Sequence, residues 1–237
     1  MLMDFSWEKR FSFIKFNMKV LSLFDGISCG MVALERAGIK VDEYVACEID
    51  KYAVQISRKN YPNIIHKGNV LDISFVEYKG FDLLIGGSPC TYWSIAKNNR
   101  ETTPDGIGGQ LFMQYVRALR ESECKWFLYE NNFSIHQNIK DFISSQLGVS
   151  PIMINSALVS AQNRKRCYWT NIPGVEQPED KGILIKDIIV GGGYGIHGSK
   201  SKCLTASYDG AVLWNSLERS QRTMVALPLK SENAERQ

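Results

Sequence analysis

The feature that most constrains this chain is an alternation of short apolar runs with longer amphipathic stretches over its first two thirds. Buried parallel strands appear as continuous apolar runs, and the helices that cover their sheet appear as amphipathic stretches. The pattern therefore predicts an α/β fold with a mostly parallel sheet and helices on both faces. A chain of 237 residues is long enough to bury one such core.

The individual elements follow from this periodicity. Strands are predicted at Lys19–Phe24, Glu43–Cys47, Asn63–His66, Asp82–Ile85, Trp126–Glu130, Ile152–Ala157 and Arg166–Thr170. Helices are predicted at Gly30–Ala37, Lys51–Asn60, Gln110–Glu121 and Ile139–Leu147. Asp50 is expected to cap the second helix, because its carboxylate can accept hydrogen bonds from free backbone amides.

Two segments interrupt the alternation. Residues 91–109 are polar, contain glycine and exceed an ordinary connection, so we expect a mobile loop with a functional role. After Pro173 the periodicity weakens, with only weak strand signals over 202–208. We therefore expect an N-terminal extension over residues 1–17, a main domain over 18–174 and a short C-terminal region over 175–237.

Composition restricts the class of protein without identifying it. The formal net charge of +3 permits nucleic-acid binding but does not indicate it. No apolar run approaches the roughly 20 residues that span a bilayer, and the first 17 residues lack the pattern of a signal peptide. The six cysteines are dispersed without C-x-x-C spacing, which predicts free thiols rather than a disulfide framework or a zinc site.

An acid and two glycines follow the first predicted strand, in VLSLFDGISCGM over residues 20–31. Gly26 and Gly30 are expected to let the backbone approach a ligand at the carboxyl edge of the sheet, where open α/β sheets bind ligands. Their spacing is not the G-x-G-x-x-G of a pyrophosphate site, and Asp25 would favour a cationic ligand. Glu48, about 20 residues further on, is placed to bind a ribose diol.

A third polar junction follows at Asn69–Asp72. Together the three junctions fit a nucleoside that carries a positive centre, as S-adenosylmethionine does. The pattern alone leaves other nucleotides open as ligands, and it also leaves open that Glu48 is only a solvated loop acid.

Cys90 lies in a further strand-to-turn junction, FDLLIGGSPCTYWS over residues 81–94. Pro89 stiffens the backbone before the thiol, and nearby helix N-termini would lower the pKa of the thiol. Cys90 is therefore a candidate nucleophile, with a merely packed cysteine as the alternative. The next strand, in WFLYENN, brings Glu130 to the same edge, where an apolar setting would raise its pKa. The alternative for Glu130 is a capping acid.

Three polar side chains alternate in SAQNRKRCYW, namely Gln162, Arg164 and Arg166. If the segment is extended they share one face. Arginines on such a face suit contacts with phosphate or carbonyl oxygens, and a solvated charged strand is the alternative.

The ordered set FDGISCG, Glu48, GGSPC, YENN and QNRKR resembles the cytosine-5 DNA methyltransferase family over about residues 18–174. The stretches VLSLFDGI, FDLLIGGSPC and PIMINSALVSAQNRKRCYWTNIPG are similar to the animal de novo enzymes and their phage relatives. The resemblance implies a Rossmann-like S-adenosylmethionine-dependent methyltransferase fold, double-stranded DNA as partner and no metal. It also implies a cytoplasmic location in a bacterial or phage-infected cell, or a nuclear one in a eukaryote.

The resemblance implies that a flipped cytosine is attacked at carbon 6 by Cys90 while Glu130 donates a proton to ring nitrogen 3. Arg164 and Arg166 would steady the cytosine oxygen and the loop around Cys90, and the 91–109 loop would close over the base. The implied cofactor residues are Phe24, Asp25, Gly26, Ile27, Glu48, Ile49, Asn69, Val70 and Pro89, with Asn69 and Val70 against the adenine.

The chain also departs from the family. The usual Glu-Asn-Val is Glu130-Asn131-Asn132 here, so the acid is retained. Only residues 175–201 separate the main domain from the segment KCLTASY. The helix that normally follows is only faintly resembled by LWNSLERSQRTMVALP. No terminal motif that completes the cofactor pocket is recognisable. The expectations are therefore a naturally truncated chain, a minimal relative, or a chain completed by another subunit or in a homo-oligomer. The rivals are a non-catalytic DNA-binding or regulatory homologue, an RNA cytosine-5 methyltransferase and a nicotinamide-dependent enzyme.

Overall fold

The fold is that of a computed structural model, which describes residues 17–95, 97–191, 193–195, 198–203, 216, 218 and 222–226. The chain divides into two compact units. Among the described residues, the first comprises those over 17–152 together with Cys167–Glu176, and the second comprises Met153–Arg166 together with those from Gln177 onward. Apart from residues 17, 202 and 203, the predicted extension over 1–17 and the weak strand signals over 202–208 lie outside the described residues.

Every predicted strand and helix is present in the described chain, and the structure adds short strands at Tyr194–Gly195 and Val225–Ala226 and a short helix at Ile185–Ile188. The strands are β1 (Asn17–Leu23), β2 (Lys40–Cys47), β3 (Ile65–His66), β4 (Leu83–Gly86), β5 (Trp126–Asn132), β6 (Ile152–Asn155), β7 (Lys165–Thr170), β8 (Tyr194–Gly195) and β9 (Val225–Ala226). The helices are α1 (Cys29–Arg36), α2 (Lys51–Asn60), α3 (Ile107–Ser122), α4 (Gln137–Leu147) and α5 (Ile185–Ile188). Asp50 caps α2 as predicted, since its carboxylate accepts from the amides of Tyr52 and Ala53. Within the described ranges, no helix is both long and apolar enough to cross a membrane.

The sheet of the first unit is doubly wound. Its strands lie in the order β3-β2-β1-β4-β5-β7, and β1 pairs in parallel with both β2 and β4, β2 with β3, and β4 with β5. The chain order reverses between β1 and β4, so the switch point of the sheet lies at these two strands. Open α/β sheets bind their ligands beyond the carboxyl ends of the strands at such a point.

Two apolar clusters cover the two faces of this sheet. In β1, Val20 belongs to one cluster, Leu21 and Leu23 belong to the other, and all three side chains are fully buried. Because successive residues of a strand point to opposite faces, a strand covered on both sides requires an uninterrupted apolar run. The α/β fold predicted from such runs is therefore confirmed.

The structure corrects the prediction that Gly30 lets the backbone approach a ligand. A Cβ atom at Gly30 would lie 2.2 Å from Cδ1 of Ile85 and 2.8 Å from the hydroxyl oxygen of Tyr44. Glycine is needed there so that α1 can pack closely against the sheet, rather than for the approach of a ligand. Gly26 differs, since it has open space around its Cβ position and a φ of +61°, a backbone conformation that favours glycine.

Polar contacts hold Met153–Arg166, the first segment of the second unit. Asn155 ends β6, because its Oδ1 accepts from the amides of Ala157 and Arg164 and so starts a turn of 3-10 helix. The strand predicted to reach Ala157 is shorter for this reason. The ammonium group of Lys200 donates to the carbonyl oxygens of Ala157, Ser160 and Ile183. β8 and β9 form a separate antiparallel pair.

Candidate active site

The carboxyl ends of four neighbouring strands lie level with one another. Cys47 of β2 is paired with Leu23 of β1, Leu23 with Gly86 of β4, and Gly86 with Tyr129 of β5. The residues that follow this row along their strands are Glu48, Phe24, Gly87 and Glu130. The structure thus brings to one edge the junctions that the sequence predicted to meet there.

The turn after β1 has an unusual backbone conformation. Phe24, Gly26 and Ser28 all have positive φ, at +55°, +61° and +64°. For a residue with a side chain this left-handed conformation costs about 1–2 kcal/mol. Such residues persist where the surrounding contacts over-determine them, which is common at ligand-binding sites.

Asp25 supplies the first set of contacts that hold this turn. Its Oδ1 accepts from the hydroxyls of Ser22, at 2.6 Å, and Tyr44, at 2.7 Å, and its Oδ2 accepts from the hydroxyl of Ser28. Burial and, next, the Asp25 carboxylate raise the pKa of Tyr44, so this hydroxyl stays a donor. The Asp25 carboxylate, which was predicted to favour a cationic ligand, is directed to these internal hydroxyls.

Glu48 supplies the second set of contacts. Its Oε2 accepts from the amide of Gly26, and its Oε1 accepts from the amides of Ile49 and Asp50, all at 2.8 Å. A carboxylate offers roughly four acceptor positions, so the three amides leave one of them for a ligand hydroxyl. Glu48 therefore ties the glycine turn to the start of α2 while it faces the cavity described next.

A cavity of about 220 Å³ opens beyond the ends of β1, β2 and β4. Its walls are formed by Phe24, Cys47, Glu48, Ile49, Gly68, Asn69, Val70, Gly87, Pro89 and Leu111. Six residues predicted to bind a cofactor are among them, whereas Asp25, Gly26 and Ile27 are not. Ile27 lies in the neighbouring turn with 46% of its surface exposed.

The cavity has the chemistry that a nucleoside requires. Glu48 offers acceptor oxygen and Asn69 an amide, while Ile49, Val70 and Leu111 form apolar walls suited to a flat base. The Oδ1 of Asn69 already accepts from the amide of Leu71 at 3.1 Å, and a carbonyl oxygen has a second lone pair. This donor and acceptor set fits S-adenosylmethionine.

Some wall residues were not predicted from the sequence. Leu111 belongs to α3, far from the three junctions in sequence, and nothing in its local pattern marks it as part of a site. Cys47 directly precedes Glu48, and burial raises the pKa of its thiol to about 12, with a smaller contribution from Asp25. Cys47 is therefore a neutral wall residue at physiological pH.

The loop that carries Cys90 is held by β5. The hydroxyls of Ser88 and Tyr129 lie 2.6 Å apart, and Nδ2 of Asn131 donates to the carbonyl oxygen of Ser88 at 3.2 Å. Asn131 is only 2% exposed, so an unpaired amide there would be costly. These contacts fix the backbone two residues before Cys90, which is itself half-buried.

Glu130 lies against the same loop. A Cβ atom at Gly87 would lie 2.7 Å from the carbonyl oxygen of Glu130 and 3.1 Å from its Oε2. Gly87 therefore leaves the space that the half-buried Glu130 carboxyl group fills. The acid of β5 and the turn that leads to Cys90 are neighbours, as their positions in the sheet predict.

The 91–109 loop is more ordered than its polar composition predicts. Trp93 is fully buried and donates from its ring nitrogen to Oε2 of Glu101 at 3.1 Å. The same carboxylate accepts from the amides of Ile107 and Gly108 at the start of α3, at 3.1 Å each. Glu101 thereby caps α3, which begins three residues before the predicted Gln110. The mobile loop expected from the sequence is instead anchored at these points.

We expect Glu101→Gln to destabilise the protein by about 2 kcal/mol, because the single oxygen of an amide cannot serve all three donors. For a chain of this size the thermal midpoint should fall by roughly 4–8 °C, as measured by calorimetry. Glu123→Gln is the matched control, since its ion pair with Lys79 joins two well-exposed side chains and contributes little. Equal midpoints for the two variants would contradict the role given to Glu101.

The predicted arginines lie in the second unit. Arg164 is exposed and precedes β7, while Arg166 lies within β7, is half-buried and donates to the carbonyl oxygen of Lys165 at 2.9 Å. The extended segment that would align them with Gln162 begins only at Lys165. That Arg164 and Arg166 take part in the active site stays a prediction.

A parallel sheet with a glycine turn after β1, an acid after β2 and a cavity at the switch point defines a Rossmann-like methyltransferase fold of the S-adenosylmethionine-dependent type. A solved structure supports this fold, that of a prophage-encoded protein of E. coli described as a DNA modification methyltransferase. Its TM-score is 0.52 at 24% identity, covering 65% of this chain and 46% of that one. The chain belongs to the C-5 cytosine-specific DNA methylase family, whose model matches residues 18–181.

Curated relatives agree with this family. The chain is 33% identical over 168 residues to the orphan methyltransferase M.SPRI of Bacillus phage SPR, covering 66% of this chain and 38% of the relative. It is 30% identical over 195 residues to the Type II methyltransferase M.NgoPII of Neisseria gonorrhoeae, covering 73% and 56%. The chain therefore spans less than two thirds of the length of these relatives. The likeness to phage enzymes is confirmed, and that to the animal de novo enzymes stays a prediction.

Proposed function

We propose that this chain transfers a methyl group from S-adenosylmethionine to carbon 5 of cytosine in double-stranded DNA. The observation that carries the proposal is the adjacency of the Cys90 turn and Glu130 at the carboxyl ends of β4 and β5, beside a cavity that suits a nucleoside. A nucleophile and an acid one strand apart suit chemistry at two positions of one pyrimidine ring. Membership of the cytosine-5 methylase family supports the same reaction.

Cys90 makes carbon 5 reactive by a temporary bond. Its thiolate adds to carbon 6, and the π electrons of the 5,6 double bond move towards carbon 5 while Glu130 gives its proton to ring nitrogen 3. Carbon 5 then takes the methyl group, and water accepts the proton that carbon 5 still carries. The electron pair of that carbon–hydrogen bond re-forms the 5,6 double bond, the carbon 6–sulfur bond breaks, and its electron pair returns to Cys90 as the thiolate. Glu130 recovers the proton of nitrogen 3, so both residues are regenerated.

S-adenosylmethionine would supply the methyl group, as a sulfonium that leaves a neutral thioether behind. Glu48 would hold its ribose hydroxyls, Asn69 and Val70 its adenine, and Phe24, Ile49 and Pro89 the remaining walls of the cavity. The backbone of Asp25, Gly26 and Ile27 would face the rest of the cofactor. The left-handed turn over these residues is held by hydrogen bonds of Asp25 and Glu48.

The DNA side of the reaction needs the base outside the helix. The reacting carbons of cytosine are shielded within a duplex, so the base must be flipped into the site. We assign the 91–109 loop to cover the flipped base, and Arg164 and Arg166 to contact its carbonyl oxygen. Trp93 and Glu101 would anchor that loop where it joins α3.

Tritiated methyl transfer tests this function directly. With labelled S-adenosylmethionine and a mixture of double-stranded DNA sequences, the wild-type protein is expected to label DNA, and nucleoside digestion should recover the label as 5-methylcytosine. Total RNA serves as the parallel substrate. Label in RNA alone would assign the chain to the RNA branch of this chemistry. Binding of S-adenosylmethionine without transfer to either polymer would favour a regulatory homologue and overturn the proposed activity.

A further inference from the structure

One wall of the cavity depends on a segment with little regular structure. Asn69 and Val70 line the cavity, and they are followed by two short turns of 3-10 helix, Val70–Asp72 and Phe75–Tyr78. Turns of this length have few backbone hydrogen bonds of their own. Contacts from elsewhere must therefore fix the position of this wall.

Several of these contacts come from Arg117 of α3. Its guanidinium group donates to the carbonyl oxygen of Val70 at 2.7 Å and to that of Ile73 at 2.9 Å. It also lies 4.5 Å from the centre of the Phe75 ring, a favourable arrangement for a cation and an aromatic face. Arg117 thus contacts the segment at its start, middle and end.

The orientation of Arg117 is itself fixed. Its Nε donates to Oε1 of Gln114 at 2.9 Å, and its NH1 lies 3.3 Å from Oε2 of Glu121, one turn away on the same helix. Oε2 of Glu121 also accepts from the amide of Phe75 at 3.0 Å. Arg117 and Glu121 therefore form a clamp that binds α3 to the 70–75 segment.

The same helix also forms part of the cavity. Leu111 lines the wall six residues before Arg117. One rigid element therefore forms one side of the cavity and holds the wall that carries Asn69 and Val70. The planar guanidinium is suited to this task, because it presents several donors in a fixed geometry, which the single ammonium of lysine cannot reproduce.

We infer that Arg117 is a positioning residue that sets the affinity for S-adenosylmethionine by fixing the Asn69–Val70 wall. This inference rests on the proposed function of the cavity. None of the contacts described for Arg117 involves Cys90 or the loop assigned to cover the flipped base. Its loss should therefore act on cofactor binding rather than on the chemical step.

Two variants test the role of Arg117, and two on the same helix serve as controls. Arg117→Lys and Arg117→Met are expected to weaken binding of S-adenosylmethionine about tenfold, as two hydrogen bonds from a charged donor are lost. KM for the cofactor should rise similarly, with a much smaller change in kcat. Arg120→Lys and Arg120→Met are the controls, because Arg120 is exposed and its hydrogen bond to Gln146 is long, at 3.4 Å. Calorimetric titration gives the affinities, and hydrogen exchange of the Val70–Phe75 amides should be faster only in the Arg117 variants.

The outcomes separate this inference from the proposed function. Failure of the wild-type protein to bind S-adenosylmethionine would overturn both. Wild-type affinity in Arg117→Lys, even with a lower thermal midpoint, would show a merely structural arginine and overturn the inference alone. Should the Arg117 variants not fold, Glu121→Gln weakens the same clamp, and it must shift the affinity in the same direction for the inference to stand.

Discussion

Cys90→Ser is expected to abolish the covalent complex that the wild-type protein forms with duplex DNA containing 5-fluorocytosine in the presence of S-adenosylmethionine. Fluorine cannot leave carbon 5 as a proton does, so after methyl transfer the bond between carbon 6 and sulfur cannot be broken. The hydroxyl of serine is a far weaker nucleophile than a thiolate at neutral pH. The complex is measured as a band of reduced mobility on a denaturing gel.

Cys29→Ser is the matched control for this experiment. Cys29 is an exposed thiol at the start of α1, so its replacement should leave the trapped complex at the wild-type level. A trapped complex in Cys90→Ser would assign the nucleophile to another residue. Binding of S-adenosylmethionine by the wild-type protein with no trapped complex on any duplex would refute covalent catalysis.

Glu130→Gln is expected to lower the rate of methyl transfer by about 10²–10⁴-fold, the usual contribution of a positioned general acid. Glutamine matches the size of glutamate and can still donate a hydrogen bond, but it cannot transfer a proton to nitrogen 3. The variant should remain folded, since the close contact of Gly87 with the backbone oxygen of Glu130 is unchanged. Single-turnover transfer of labelled methyl groups measures the effect.

Two further measurements make the Glu130 result specific. The affinity for S-adenosylmethionine should stay at the wild-type value, because Glu130 is not among the walls of the cavity. Glu43→Gln, which removes only a surface ion pair with Lys19, should keep the wild-type rate. A rate for Glu130→Gln within a few-fold of this control would contradict the role of Glu130 as the acid.

Much of the fold could be predicted because its cause is local. A strand buried on both faces requires an unbroken apolar run, and such runs appear in the sequence at β1, β4 and β5. The ends of elements were less accurate where a distant side chain decides them. Glu101 starts α3 early, and Asn155 ends β6 early, through hydrogen bonds that no apolar period records.

The candidate site was predictable where residues follow directly after strands. Glu48 and Glu130 could be assigned to one edge because the carboxyl ends of parallel strands meet there, whereas Phe24 was implied by the family resemblance. Arg117 and Leu111 could not be assigned to the site from the sequence. They lie within an ordinary amphipathic helix, whose pattern accounts equally well for Arg117 as a surface residue and for Leu111 as a core residue. Trp93 lies in a polar loop, whose composition does not predict a buried side chain. Its burial depends on the hydrogen bond that its ring nitrogen donates to Glu101.

The left-handed turn over Phe24–Ser28 has a consequence for how a ligand would be bound. Glu48 holds this turn through the amide of Gly26, and Asp25 holds it through the hydroxyl of Ser28, so part of the cost of ordering the turn is met on folding. A ligand that meets a preordered turn loses little conformational entropy on binding. The left-handed residues of this turn lower folding stability, a trade between stability and function often found at ligand sites.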